Sequence, residues 1–138
     1  MYDDAISQVL ADTGGTGFWA APPACDEGGA GPIADKYRAF GGCRSPIGAP
    51  VTGEVKTPDG IGRYRVYATG SIYVSARTPA HVVMGRIRDA WKEAGWEAGP
   101  LGYPISDEED APGGKRSRFE HGLITWDAAT NTTRTQVQ

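Results

Sequence analysis

The chain has two histidines, His81 and His121, and two cysteines, Cys25 and Cys43. Neither histidine stands at a spacing from a serine, cysteine or acid that would build a nucleophilic triad. There is no His-x-x-x-His helix motif and no Gly-x-Ser-x-Gly turn. His81 reads as a structural hydrogen-bonding residue and His121 as a turn residue. Two cysteines with no adjacent histidine do not make a zinc site, so neither a metal nor a cofactor is expected. The run Asp107-Glu108-Glu109-Asp110 offers the carboxylates that acid–base chemistry or calcium would use. The stretch 54 residues earlier, Gly53-Glu54-Val55-Lys56, keeps only one of them. Recurrence of Glu54 as Glu108 alone points to a solvated acidic loop with a shared structural role, and no catalytic residue is assigned. Binding has more material. Sugar rings present an apolar face to flat aromatic side chains, while arginines and acids read the hydroxyls. Tyr64, Arg65, Tyr73, Trp96, Arg118 and Trp126 are the candidate ligand-binding set.

These side chains need a frame, and the frame repeats. Ser45-Pro46-Ile47-Gly48-Ala49-Pro50 returns as Gly99-Pro100-Leu101-Gly102-Tyr103-Pro104, 54 residues on. Each proline fixes its own φ and pushes the preceding residue extended, and the glycine supplies a turn geometry that other residues resist. The result is a stiff pinned loop held by Pro46, Gly48 and Pro50, and again by Pro100, Gly102 and Pro104, with Ile47 or Leu101 as its core anchor. The same spacing pairs Ile33, Tyr37 and Gly41 with Ile87, Trp91 and Gly95. At a spacing of 52, Arg63, Tyr67, Gly70 and Ile72 pair with Lys115, Phe119, Gly122 and Ile124, as if Ile61-Gly62 were an insertion. Apolar stripes predict helices over 33–40 and 84–94, each stopped by glycine. Short loops ending in glycine predict hairpins over 63–75 and 115–127. Alternation places Tyr67, Ile72, Phe119 and Ile124 in the core and leaves Tyr64, Arg65, Tyr73 and Trp126 for exposed positions. Trp96, just past a helix stop, joins the exposed set. A helix over 3–11 precedes a Gly/Pro-rich stretch whose Gly17-Phe18-Trp19 is a candidate closing strand of a degenerate unit. The tail 128–138 reads as an edge strand or a frayed end.

These residues resemble the LGFP-repeat family. Its Leu-Gly-x-Pro loop with a following Thr/Ser-x-x-Glu matches Leu101-Gly102-Tyr103-Pro104-Ile105-Ser106-Asp107-Glu108. Its Gly-Arg-Tyr hairpin matches Gly62-Arg63-Tyr64-Arg65-Val66-Tyr67-Ala68-Thr69-Gly70-Ser71-Ile72-Tyr73, and Ala80-His81-Val82-Val83-Met84-Gly85-Arg86-Ile87 matches its link between units. The resemblance implies association with the envelope of mycolate-bearing actinobacteria, where such repeats accompany mycolyltransferase and cell-wall hydrolase domains.

Bulk properties agree with a small loop-rich domain. There are 138 residues, 20 of them glycine and 10 proline, with a net charge of −3. The mild negative charge argues against a nucleic-acid partner, and no stretch of 18 apolar residues predicts a membrane span. Residues 1–13 lack the basic start and apolar run of a signal peptide. The extracellular location implied by the resemblance then has three routes: a piece of a longer secreted protein, a removed signal, or a native Met1 in a bacteriophage component. Cys25 and Cys43 flank the first repeat helix. In an extracellular setting they form a disulfide closing a loop of about 18 residues, worth roughly 3 kcal/mol in the chain-entropy model. In a cytosolic or phage setting they stay reduced. The expected fold is α+β: an N-terminal segment 1–32, then repeats 33–85 and 86–138, each a short helix, a pinned loop and a β-hairpin. Two units are few for an array, so completion by other protein subunits or an oligomer is expected. The leading expectation is a non-catalytic module binding arabinogalactan or peptidoglycan glycans. The alternatives are a structural virion protein that uses the repeats for assembly and a small wall hydrolase acting through Glu54 or Glu108.

Overall fold

The computed structural model describes residues 25–138. The helix expected over 3–11 and the strand expected at Gly17-Phe18-Trp19 lie outside the described residues. Helix α1 is Pro32–Phe40, entered by proline at its first turn and ended by Gly41 at φ 121°. A 3₁₀ turn, Gly42–Arg44, leads to the first pinned loop. Strands β1 (Val55–Lys56), β2 (Gly62–Val66), β3 (Gly70–Ser75) and β4 (His81–Met84) form an antiparallel sheet in that order. Helix α2, Gly85–Glu93, follows without a loop, then a 3₁₀ turn, Trp96–Ala98. The second sheet is β5 (Glu109–Ala111), β6 (Gly114–Phe119), β7 (Gly122–Asp127) and β8 (Thr132–Val137). The α+β architecture of two tandem units is as the repeat predicts.

Each hairpin grows into four strands. The link residues His81-Val82-Val83-Met84 pair with β3, Ile72 opposite Val82 and Tyr73 opposite His81. The tail pairs with β7 as an edge strand, Ile124 opposite Thr135. The link hid its strand character because Val82 and Val83 are both fully buried, on opposite faces. A strand buried on both sides reads as a continuous apolar run and shows no alternation.

That two-sided burial organises the core. One face of the first sheet carries Tyr67, Ile72 and Val82 onto Ile33 and Tyr37 of α1 and onto Ile47 of the pinned loop. Its other face carries Tyr73 and Val83 onto Ile87 and Trp91 of α2, with Leu101, Tyr103, Phe119 and Ile124 from the second unit. Helix α2 therefore serves two sheets. The pinned loops behave as their prolines and glycines require. Gly48 (φ 76°) and Gly102 (φ 78°) adopt left-handed backbone that a side chain would strain. Ile47 and Leu101 are fully buried, and Pro50 and Pro104 bridge to Tyr67 and Phe119 of the sheets.

Candidate functional site

The joint between the units is fastened by residues of the second pinned loop and its hairpin. The Tyr103 hydroxyl donates to Asp59 Oδ2 at 2.8 Å and contacts Thr57 Oγ1 at 3.0 Å. Arg77 forks onto Glu120, Nε to Oε2 at 2.8 Å, while Glu120 Oε1 accepts the Tyr103 amide. Asp107 reaches back furthest. It takes Lys36 Nζ at 2.5 Å, His81 Nδ1 at 3.1 Å and the Val82 amide at 3.0 Å. Burial alone would raise the Asp107 carboxyl, but the bonds from His81, Lys36 and Val82 outweigh it and hold it far below the usual carboxylate range.

Two grooves open at this joint, one at each end of α2. The first, about 350 Å³, lies at the start of the helix. Trp126, Lys115 and Glu108 line one side, and Pro46, Met84 and Arg86 line the other. Lys115 and Trp126 are directly paired across β6 and β7. The indole N–H of Trp126 donates to Asn131 Oδ1 at 2.9 Å, which fixes the ring. Burial raises the Glu108 carboxyl, partly countered by the nearby Lys115 charge; no hydrogen bond to another described residue occupies its oxygens. Lys115 is itself held by Asp110 at 2.5 Å. A fixed ring, a carboxylate with free lone pairs and cationic rims form the combination that grips a sugar. In the first unit a groove of about 330 Å³ lies over Arg63 and Val74, the counterparts of Lys115 and Trp126, and has no indole. There Glu54 sits 3.8 Å from Arg63, and Val74 occupies the place of Trp126.

The second groove, about 250 Å³, lies at the end of α2 between Tyr64, Tyr73, Arg88, Trp96 and Glu97. Tyr64 and Tyr73 stack at 4.8 Å. The Arg88 guanidinium sits 5.1 Å over the Trp96 ring, with its Nε on Ser71 Oγ at 2.8 Å. Trp96 has φ 59°. A bulky residue in left-handed backbone costs on the order of 1 kcal/mol or more and draws the eye to function.

The structure thus brings Tyr64, Tyr73 and Trp96 together, puts Trp126 in a separate groove, and corrects the expectation of exposure for all five residues: Tyr64, Trp96 and Trp126 are half-buried against the core around Trp91, and Tyr73 and Arg65 are buried. Tyr73 is 4% exposed, because α2 covers the sheet face that alternation left to solvent. Arg65 is 5% exposed; its Nη2 pairs with Asp26 at 2.8 Å and its Nε donates to the Thr52 carbonyl. It is a structural arginine. Arg118 is exposed on the outer face of the second sheet, paired with Glu109 at 2.8 Å, and shares no site with the others. The four acids 107–110 scatter likewise: Asp107 to the joint, Glu108 to the first groove, Glu109 to Arg116 and Arg118, Asp110 to Lys115. Cys25 and Cys43 are joined by a disulfide, Cα to Cα 6.0 Å. Sequence reasoning gave no role to Tyr103 or Glu120 and read Asp107 as part of a solvated acidic loop, where the structure ties it to Lys36, His81 and Val82. The signal for them was present: the matching positions of the first unit are Ala49, Gly53 and Ala68.

The LGFP-repeat family model matches residues 47–99 and 101–137, together well over half of the chain. The chain belongs to the LGFP-repeat family. Both LGFP matches begin at a pinned loop, so the family's unit runs from that loop through its sheet, and the first match continues across α2. A search of curated proteins found no match. No helix among the described residues is long and apolar enough to cross a membrane.

Proposed function

We propose that this LGFP-repeat chain is a non-catalytic module that binds a cell-envelope glycan, arabinogalactan or peptidoglycan, of a mycolate-bearing actinobacterium or serves a phage of one. The observation that carries this reading is the groove at the start of α2, where the Trp126 ring, fixed by Asn131, stands beside the open carboxylate of Glu108 and the charge of Lys115. The ring stacks on the apolar face of a sugar, and Glu108 and Lys115 hydrogen-bond its hydroxyls. Binding is favoured over hydrolysis because glycoside cleavage uses two facing carboxylates, and Glu108 is the one acid lining this groove among the described residues.

The test is co-sedimentation with insoluble walls of a mycolate-bearing actinobacterium, with and without arabinogalactan stripped off. Saturable pelleting that Trp126→Ala abolishes, with the fold intact by circular dichroism, supports the reading. Retention only on unstripped walls assigns arabinogalactan. A protein that stays in the supernatant at tens of micromolar, weaker than about 6 kcal/mol, overturns wall binding and directs the search to virion subunits. Release of soluble sugar that Glu108→Gln stops would overturn the non-catalytic assignment.

A further inference from the structure

The groove at the end of α2 takes Tyr64 and Tyr73 from the first unit and, from the second, Arg88, Trp96 and Glu97, whose positions hold different residues in the first. Trp96 begins its 3₁₀ turn at φ 59°, and Gly42 begins the equivalent turn at φ 61°. Glycine performs that backbone task without strain, so the turn itself does not require an indole. Arg88 stands where the first unit has Ala34, and Glu97 where it has Cys43. The tryptophan, its covering arginine and the neighbouring acid therefore arrive together, against backbone preference, on one groove.

The polar groups of the groove are open. The Tyr64 and Tyr73 hydroxyls make no hydrogen bond to another described residue, although Tyr73 is 4% exposed. Burial first, then the neighbouring Glu97 and Tyr64, push the Tyr73 phenol above its ordinary range. Glu97, raised by burial, has only its own backbone amide as partner. A phenol hydroxyl at the groove wall with no protein acceptor and a half-buried carboxylate held only by its own backbone amide leave hydrogen-bonding capacity for a ligand. A ligand with several hydroxyls and an apolar face satisfies all three. The volume, about 250 Å³, lies below that of drug-sized pockets and suits one ring of a longer chain.

Resting on the glycan-binding reading above, we infer that this groove is a second saccharide subsite, with Trp96 and Tyr64 as its ring platform and Glu97 and the Tyr73 hydroxyl as its hydroxyl partners. From α2 and the turn after it, Gly85, Arg86 and Ile87 line the first groove and Arg88, Trp96 and Glu97 the second, so one helix joins the two. A polymer presenting the same sugars repeatedly engages both, and linked contacts raise avidity without a new surface.

The experiment is a titration of the full chain with soluble arabinogalactan fragments, followed by the indole N–H signals of the tryptophans. In the wild type the signals of both Trp96 and Trp126 move. Trp96→Gly, which restores the residue the first unit uses, weakens binding roughly threefold to tenfold. Tyr73→Phe, which keeps the ring and its stacking and removes only the proposed hydroxyl partner, weakens it by a smaller factor; should Trp96→Gly not fold, this variant and the wild-type Trp96 signal decide the matter. A Trp96 signal that stays still at saturation, with both variants binding as the wild type does and Trp126→Ala weakened, overturns the second subsite and leaves the first standing. No movement of any indole in the wild type overturns both.

Discussion

The two units share one fold and differ at their joint. Pairs that match in type, Ile33 with Ile87, Ile47 with Leu101, Tyr67 with Phe119 and Ile72 with Ile124, are all buried to 2% exposure or less; the first of each pair builds the core under α1, and the second builds the core that Tyr73 and Val83 of the first sheet share. The residues that fasten one unit to the other fall where the copies disagree. Tyr103, Asp107 and Glu120 of the second unit reach back to Asp59, His81 and Arg77 of the first. Their counterparts Ala49, Gly53 and Ala68 have nothing to reach with. The sheets differ in the same way. The first buries Tyr73 and Val83 under α2, while the second has Thr125 and Gln136 at the equivalent places, with Arg116 and Arg134 beside Thr125. A repeat array needs end units with polar outer faces, and the outer sheet of this pair has one. What is common makes the unit, and what is peculiar makes the joint and both grooves.

The comparison breaks hardest at Tyr103. Tyr103→Ala gives the second unit the residue of the first, empties a fully buried site and leaves Asp59 without its phenol. Large-to-small changes of this kind cost roughly 3–5 kcal/mol. Urea unfolding is expected to show that loss, with the two units melting separately. A loss below about 1 kcal/mol would mean that the joint does not depend on this ring.

Next in size is the disulfide, which ties Cys25, ahead of the first unit, to the turn at Cys43; the second unit has Glu97 on the equivalent turn. Cys43→Ser is expected to cost about 3 kcal/mol by releasing a loop of that length in the unfolded chain. Reductant added to the wild type should reproduce the loss and leave the variant unchanged.

The unit was legible in the sequence because its rules are local. Prolines and a glycine at fixed offsets fix the loop, a 3.6-residue stripe marks each helix, and alternation around a turn glycine marks each hairpin. Those signals place Ile47, Leu101, Phe119 and Ile124 correctly. They fail where a second unit supplies the environment. Tyr73 alternates as an outward residue and becomes inward only because Trp91 packs edge-on against it at 4.7 Å. Arg65 has the type of a binding residue, and its burial depends on Asp26, 39 positions earlier. Tyr64 and Trp96 are far apart in the chain, and nothing local says that they line one groove. Long-range partners leave no periodic trace.

Asp107 gives a prediction with a sign. Its carboxyl titrates lower in the folded protein than the usual value near 4 of an unfolded chain. The stability it contributes is therefore complete above pH ~4 and is lost as the pH falls below that. Asp107→Asn removes the charge that holds Lys36 and His81 and should cost about 2 kcal/mol at neutral pH. In acid titration of stability, the gap between wild type and variant narrows progressively as the pH falls below ~4. Glu108 and Glu97, raised by burial, act in the opposite sense, so the difference curve between the two proteins is the informative quantity. A gap that stays constant to pH ~2 would assign the cost of the variant to packing and remove the charge from the account.

The smallest effect belongs to Arg77. Its fork onto Glu120 is well formed, yet its side chain is 57% exposed, and exposed pairs are screened by water and salt. The Tyr103 amide also needs Glu120 as its acceptor, so changing the acid would confuse two contacts. Arg77→Met keeps most of the stem that lies beside the Tyr103 ring, where the guanidinium now sits 5.8 Å from the centroid, and removes only the charge. Thermal unfolding of this variant should fall slightly below the wild type at low ionic strength and merge with it in about 0.5 M salt, where the Debye length is only a few ångströms. A deficit that survives the salt would show that the fork, despite its exposure, positions Glu120 for the Tyr103 amide, and the joint would then rest on four residues acting together in place of the buried ring and Asp107.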